Sequence, residues 1–157
     1  GGGAAGDGGG GGAGPATGSG GSPAPGVTFE AFDGGQVTLA DFHGPEPLVV
    51  NFWASWCPPC VAEMPDIERV HQDLGGEVAF LGINTQDTEE AADRLVGETG
   101  VTYPLVRDPD GQVASAFGVF GMPSTFFVTA DGQVAHQHTG SMTEEQLRAL
   151  IDEHLRS

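Results

Sequence analysis

The sequence predicts an α/β fold built on one central mixed sheet. Strand-like apolar segments alternate with amphipathic helical segments, and the pattern ends in a β-hairpin followed by one more helix. The first 26 residues contain no apolar side chain larger than Ala or Pro, so the core must come from the rest of the chain. We therefore expect a single domain over residues 27–157, a length that buries about two-thirds of its unfolded surface.

Residues 1–26 have the composition of a disordered tether. They hold 14 of the 27 glycines, with mostly Ala, Pro, Ser and Thr between them. Such a segment cannot bury enough surface to offset the entropy lost on ordering. A tether suggests an N-terminal membrane anchor that is lost from this chain, and the alternative is a disordered remnant of cloning or maturation. Membrane attachment is expected only through that anchor, because the apolar runs are far shorter than the ~20 residues that span a bilayer.

The sequence of the first part of the domain predicts a β-hairpin, followed by a β-strand that leads into a helix. Two short strands, Val27–Glu30 and Gln36–Leu39, flank an Asp-Gly-Gly turn. Leu48–Trp53 is almost continuously apolar, as expected for a strand buried on both faces. A helix should follow from Pro58 to about Asp73, because prolines are tolerated in the first helical turn.

The rest of the chain continues the alternation. The predicted elements are a strand at Glu77–Asn84, a helix from Thr88, an extended segment at Tyr103–Val106, a short helix at Asp110–Phe117, and a hairpin of Thr125–Thr129 with Gln133–Thr139. Thr143 and Gln146 form a capping box before a final amphipathic helix.

The charge balance excludes some partners. The formal net charge is −17, and all five cationic residues are arginines. A field of this sign repels nucleic acid and anionic lipid, so neither is expected as a partner. The acidity fits either a surface kept soluble by carboxylates or adaptation to high salt, where self-repulsion is screened.

The chemistry centres on the two cysteines, Cys57 and Cys60, which are separated by two prolines. They stand where a buried strand ends and a helix begins. Unpaired N–H groups and the positive end of the helix dipole favour a thiolate there, which lowers the pKa of the first cysteine. In a βαβ pattern this placement is typical of a redox-active dithiol, and we expect no cofactor besides a Cys57–Cys60 disulfide.

Other uses of the cysteine pair fit less well. A structural disulfide between residues three apart constrains the unfolded chain little. A structural zinc site needs four ligands, and the sequence offers one Cys-x-x-Cys pair. A copper site that combines Cys57 and Cys60 with His136 or His138 stays open.

Two segments carry a family resemblance. Asn51–Cys60, with the sequence NFWASWCPPC, resembles the active-site segment of thioredoxin-like proteins. Gly118–Val128, with the sequence GVFGMPSTFFV, resembles the TlpA/ResA branch of extracytoplasmic thiol–disulfide oxidoreductases, which includes the thioredoxins of cytochrome c maturation. The resemblance extends over residues 27–156. It implies a thioredoxin-like fold with an added N-terminal β-hairpin.

The resemblance also implies roles for individual residues. Cys57 would be the nucleophile that attacks a substrate disulfide, and Cys60 the thiol that resolves the mixed disulfide. Pro123 matches the family's cis-proline, and the backbone of Met122 would pair with the substrate by strand addition. Trp56, beside Cys57, would belong to the docking surface.

Two further positions concern proton transfer. Glu63 matches an acidic residue that in this branch tunes cysteine pKa and proton transfer, and the alternative is a solvated helix carboxylate. Thioredoxins carry a buried Asp six residues before the first cysteine, where this chain has Asn51. Because an amide cannot take up a proton, Glu63 or water would have to serve as the relay.

The functional expectation is a monomeric thiol–disulfide oxidoreductase outside the cytoplasm. The resemblance favours a reductant of disulfide-containing proteins, such as a disulfide-bonded apocytochrome c, supplied with electrons by a membrane thiol donor. Fold and motif do not set the direction of transfer, so a disulfide-forming oxidase is the alternative of the same class. The alternative of a different class is a copper or haem-pathway metallochaperone that uses Cys57, Cys60 and a histidine.

Overall fold

The computed structural model describes residues 21–156, which form one eight-stranded sheet with helices on both faces. The strands are β1 (Ser22–Pro23), β2 (Thr28–Ala31), β3 (Gln36–Thr38), β4 (Leu48–Trp53), β5 (Ala79–Thr85), β6 (Leu105–Asp108), β7 (Ser124–Val128) and β8 (Gln133–Thr139). The helices are α1 (Ala40–His43), α2 (Pro58–Leu74), α3 (Glu89–Thr99), α4 (Gln112–Phe117) and α5 (Glu144–Leu155).

The sheet is mixed, with strand order β1-β8-β7-β4-β5-β6-β2-β3. Strands β4, β5 and β6 run parallel, whereas β7 pairs antiparallel with both β4 and β8. All six residues of β4 are buried, as its continuous apolar run predicts. The β2–β3 hairpin extends the sheet by antiparallel pairing of β2 with β6. The predicted α/β class, mixed sheet and N-terminal hairpin are therefore confirmed.

Each face of the sheet packs a separate apolar cluster. The cluster under α2, α3 and α5 includes Trp53, Met64, Phe127 and Ile151. On the opposite face Phe52, Phe117 and Phe126 meet edge to face, with ring centroids 5.0 to 5.7 Å apart. Because β4 contributes alternate side chains to both clusters, it is held firmly at the centre of the molecule.

The sheet includes two residues that precede the predicted domain. Ser22 and Pro23, which the composition places in the tether, form β1 and pair with Val134 and Gln133 of β8. This pairing uses backbone hydrogen bonds to a sheet edge and needs no apolar side chain, so composition could not reveal it. The short helix α1 was also not predicted. The tether prediction for residues 1–20 lies outside the described residues.

Local sequence signals set most of the element ends. Thr143 and Gln146 form the predicted capping box of α5. Thr88 caps α3 by accepting a hydrogen bond from Ala91 N, and α3 closes at Gly100, whose φ of +70° is readily adopted by glycine. In the described range, none of the helices is long and apolar enough to cross a membrane.

Candidate active site

The two cysteines lie at the junction of β4 and α2. Cys57 is the N-cap residue of α2 and forms a disulfide with Cys60, with the Cα atoms 5.3 Å apart. The backbone N–H of Cys60 donates to Cys57 Sγ over 3.4 Å. Cys57 is 5% exposed and Cys60 is fully buried, so of the two cysteines only Cys57 reaches the surface. The helix N-terminus therefore faces the sulfur predicted to be the nucleophile.

Pro123 lies directly before β7, next to the cysteine segment in the sheet. The Met122–Pro123 peptide bond is cis, as the resemblance implied. In the register of β4 and β7, Ser124 stands opposite Phe52. Pairing of the two strands thus brings the cis-proline loop to the end of the sheet where β4 leads into Cys57.

Glu63 is a buried carboxylic acid one helical turn beyond Cys60. It is 2% exposed, its Oε1 accepts a hydrogen bond from Asn51 Nδ2 over 2.9 Å, and its Oε2 accepts one from Met142 N over 2.9 Å. Burial raises the pKa of Glu63 to about 7, although the bonds from Met142 and Asn51 oppose the rise. The alternative of a solvated helix carboxylate is therefore wrong.

Asn51 connects this carboxyl group to the sheet. Its Nδ2 donates to Thr125 Oγ1 of β7 over 3.1 Å as well as to Glu63. Three elements, β4, α2 and β7, are thus joined by one buried polar network, which begins one helical turn beyond Cys60. The position that is an Asp in thioredoxins here supplies a hydrogen-bond donor to the buried carboxyl group on the helix.

A groove of about 370 Å³ begins beside Cys57 at Trp56 and extends along the loop before Pro123. Trp56 is 55% exposed and Phe120 is 81% exposed, and they are the two exposed large apolar side chains of residues 21–156. Met122 also lines the groove and is half-buried. Every lining residue in the described part of the chain is uncharged, despite the acidity of the protein. Trp53, in contrast, is fully buried in the core.

Sequence reasoning missed the loop that follows β5. Trp56 Nε1 donates to the carbonyl oxygen of Gln86 over 2.8 Å, and Asp87 accepts hydrogen bonds from Ser55. The loop is far from the cysteines in sequence. The one signal that could have found it is topological, since parallel neighbouring strands end at the same edge of a sheet.

The copper site considered from the sequence is not assembled. The ring of His136 stacks on that of His154, with centroids 4.3 Å apart. Among residues 21–156, no three His, Cys, Asp or Glu side chains come together in an arrangement that could hold a metal ion. Cys57 and Cys60 therefore have no histidine placed to complete a metal centre in this part of the chain.

Comparison with known proteins agrees with this geometry. A family model described as Redoxin matches residues 19–151, which include the whole sheet. The chain belongs to the Redoxin family. A thiol:disulfide interchange protein DsbE homolog from Paracoccus denitrificans is 38% identical over 125 residues, covering 78% of this redoxin and 67% of the relative. ResA, a thiol-disulfide oxidoreductase from Geobacillus thermodenitrificans, is 33% identical over 132 residues, covering 82% and 74%.

A solved structure shows the same fold. A secreted disulfide oxidoreductase from Mycobacterium tuberculosis, homologous to E. coli DsbE, matches with a TM-score of 0.69 and 28% identity, covering 81% of this redoxin and 95% of that chain. The predicted membership of the thioredoxin-like superfamily and its TlpA/ResA-like branch is confirmed. This redoxin is a thiol–disulfide oxidoreductase, an activity that implies disulfide-containing proteins as substrates.

Proposed function

We propose that this redoxin reduces protein disulfides outside the cytoplasm, with Cys57 as nucleophile, Cys60 as resolving thiol and Glu63 as proton carrier. The observation that carries the proposal is the buried carboxyl group of Glu63 one turn beyond the fully buried Cys60. A buried thiol attacks only after losing its proton, and residues three apart on a helix are neighbours. A group with a pKa of about 7 is suited to accept that proton near neutral pH.

The first step joins enzyme and substrate. In the reduced protein, the Cys57 thiolate at the N-terminus of α2 attacks one sulfur of the substrate disulfide. A bond forms between Cys57 Sγ and that sulfur, the substrate S–S bond breaks, and the second substrate sulfur leaves as a thiolate that takes a proton from water. No net oxidation has occurred, because one disulfide has replaced another.

The second step releases the reduced substrate. Glu63 takes the proton of Cys60, and the Cys60 thiolate attacks Cys57 Sγ. The Cys57–Cys60 disulfide forms, and the mixed disulfide breaks with the substrate sulfur leaving as a thiolate that takes a proton from water. Glu63 then releases the proton of Cys60 to water. Two electrons have then passed from the dithiol to the substrate, which now carries two thiols. The described structure is the oxidised product of this cycle.

The groove beside Cys57 is the proposed docking surface. The backbone of Met122 pairs with an extended substrate segment, while Pro123, which has no N–H, ends the pairing at the cysteines. Trp56 and Phe120 offer apolar contacts to substrate side chains near the disulfide. The exposure of Phe120 supports its place in the docking surface beside Trp56 and Met122.

The cellular setting belongs to the same proposal. The Cys57–Cys60 disulfide must be reduced again after each turnover, and a thiol donor in the membrane would supply the two electrons. An N-terminal anchor would keep a monomer near that donor. The likeness to a secreted oxidoreductase supports a place outside the cytoplasm, where a disulfide-bonded apocytochrome c is a fitting substrate.

A peptide with an internal disulfide in a Cys-x-x-Cys-His segment, the c-type haem attachment motif, tests the proposal. We expect the reduced protein to convert it to the dithiol, one peptide per enzyme, and Cys57→Ser to be inactive. If the oxidised protein instead oxidises the peptide dithiol and the reduced protein leaves the peptide disulfide intact, the enzyme is a disulfide-forming oxidase and the proposal is wrong.

A further inference from the structure

The loop of residues 86–88, after β5, lies against the turn that leads from β4 into Cys57. Strands β4 and β5 are parallel neighbours, and Trp53 is paired with Asn84 in their register. Both strands therefore end at the same edge of the sheet. The chain beyond Trp53 carries the cysteines, and the chain beyond Asn84 carries the loop.

The carboxylate of Asp87 accepts hydrogen bonds from the turn, from the end of β5 and from its own loop. Oδ2 accepts from Ser55 N over 2.7 Å and from Asn84 Nδ2 over 3.0 Å. Oδ1 accepts from Ser55 Oγ over 2.8 Å and from Thr88 N over 2.9 Å. Each oxygen thus has two donors, and both donors of Ser55, which stands two residues before Cys57, point to this one side chain.

These bonds fix the turn that connects β4 to the N-terminus of α2. Ser55 is held by two hydrogen bonds, one donated by its backbone N–H and one by its side-chain hydroxyl. Because both bonds end on the same carboxylate, the turn can neither rotate nor slide freely. Cys57 N donates to Ala54 O over 3.2 Å within the same turn. Gln86 O holds the indole of Trp56 from the same loop. The loop therefore holds two of the three residues between β4 and Cys57, Ser55 and Trp56.

The carboxylate is well suited to this task because it stays ionised. Burial raises the pKa of Asp87, but the hydrogen bonds from Asn84, Ser55 and Thr88 outweigh burial, and the pKa lies below its usual value. Charge-assisted bonds to an ionised acceptor are shorter and stronger than neutral ones. The anchor is therefore present throughout the neutral range.

We propose that Asp87 is a positioning residue of the dithiol, which holds Cys57 in line with the N-terminus of α2 through its two bonds to Ser55. The inference rests on the proposed role of Cys57 as the attacking thiol. It means that the alignment of the Cys57 thiolate depends on a side chain that is 30 residues away in the sequence. Without it, the turn relaxes and the sulfur loses part of its contact with the helix N-terminus.

The test is a titration of Cys57 in the reduced full chain, followed by thiolate absorbance and by the rate of alkylation. Ser55→Ala removes one bond to Asp87 but keeps the charge, and Asp87→Ala removes all four bonds. We expect the Cys57 thiol pKa to rise by about 0.5 in the first variant and up to about 1 in the second. Exchange with a small aromatic disulfide at mildly acidic pH should slow by roughly three- to tenfold.

The sign of the change separates this role from two others. The Asp87 charge alone would raise the Cys57 pKa, so a purely electrostatic role predicts a lower pKa in Asp87→Ala and contradicts the proposal. A merely structural role lowers the melting temperature and leaves the pKa of the folded protein unchanged, which also contradicts it. Ser55→Ala keeps the test decisive if Asp87→Ala fails to fold.

Glu90→Gln is the matched control, since it removes one exposed carboxylate from the first turn of α3, near Asp87. The Cys57 pKa should stay at its original value in this variant. The titration needs no substrate and does not depend on the direction of electron transfer. A failure of the positioning role is therefore distinguishable from a failure of the proposed reductant function.

Discussion

Asn51 Nδ2 lies 2.9 Å from Glu63 Oε1 and donates a hydrogen bond to it in the interior of the protein. The pair divides two tasks between a strand and a helix: β4 supplies a fixed amide donor, and α2 supplies the group that can hold a proton. Because the amide never ionises, the titration of the network belongs to Glu63. This division leads to the first three predictions.

Glu63→Gln should remove the dependence of the second chemical step on a titrating group near pH 7. In the parent protein, the rate of mixed-disulfide resolution should rise with pH through the pKa of Glu63, because only the carboxylate accepts the Cys60 proton. The variant should be slower by roughly tenfold or more above that pH and should lack this inflection. Stopped-flow measurement of product release across the pH range checks both.

Asp73→Asn is the control for that experiment, because it removes an exposed carboxylate from the same helix. It should reproduce the parent profile. If the pH–rate profile of Glu63→Gln kept an inflection near pH 7, the titrating group would be another residue. Glu63 would then have a structural role only.

Asn51→Leu should move the inflection to higher pH. The hydrogen bond from Asn51 lowers the pKa of Glu63, so its removal leaves burial less opposed and raises that pKa further. Thr125→Val is the matched variant, since it removes the second acceptor of Asn51 but leaves the bond to Glu63 in place. The pH–rate profiles should differ clearly for the first variant and little for the second. A shift to lower pH in Asn51→Leu would contradict the assigned bond.

Glu63 should also make the folded protein less stable as the pH rises. Its pKa is raised from 4.5 to about 7 on folding, so between these values the folded state binds more protons than the unfolded state. The favourable contribution is complete below pH 4.5 and is lost as the pH passes through 7. Glu63→Gln should abolish a loss on the order of 3 kcal/mol. Urea unfolding of the oxidised protein at several pH values checks this, because the thiols do not titrate in the disulfide. If the free energy of unfolding changed equally with pH in the parent and the variant, the prediction would be contradicted.

Cys60→Ser should trap the substrate on Cys57. With the resolving thiol gone, the mixed disulfide of the first step cannot be released by attack from within the enzyme. A covalent adduct should be visible by mass spectrometry after incubation with a disulfide-bonded protein, and it should disappear on reduction. Cys57→Ser is the control and should form none, because Cys60 is fully buried. The reverse pattern would exchange the two roles.

Phe120→Ala should weaken docking without changing the dithiol. Phe120 is 81% exposed, so the substitution costs little packing in the free protein. We expect a KM for protein disulfides raised by roughly tenfold, as for loss of one apolar anchor, and an unchanged rate with a small aromatic disulfide. An equal loss with both substrates would place Phe120 in the structure of the site instead of the docking surface.

Much of this molecule could be predicted from local sequence signals. The run Leu48–Trp53, the capping box at Thr143 and the cysteine spacing each report on neighbours a few residues away, and the structure confirms them. Glu63 is an intermediate case. It falls in the helical series of buried residues formed with Cys60, Ile67 and Val70, a pattern that predicts burial even for a charged residue.

The remainder depended on tertiary contacts. β1 is ordered by the backbone of β8, so the composition of residues 22–23 carried no sign of it. Asp87 resembles any other acid in a chain with 22 acidic residues until the parallel pairing of β4 and β5 brings it to Ser55. The exposure of Phe120 likewise depends on how the loop before Pro123 packs.

The most direct test of the central claim is the equilibrium reduction potential of the Cys57–Cys60 pair, measured in a thiol redox buffer. A reductant of protein disulfides should have a potential near the −270 mV of thioredoxin, because electrons must pass from the enzyme to its substrate. A potential near the −120 mV of a strong oxidase would contradict the proposed direction of transfer.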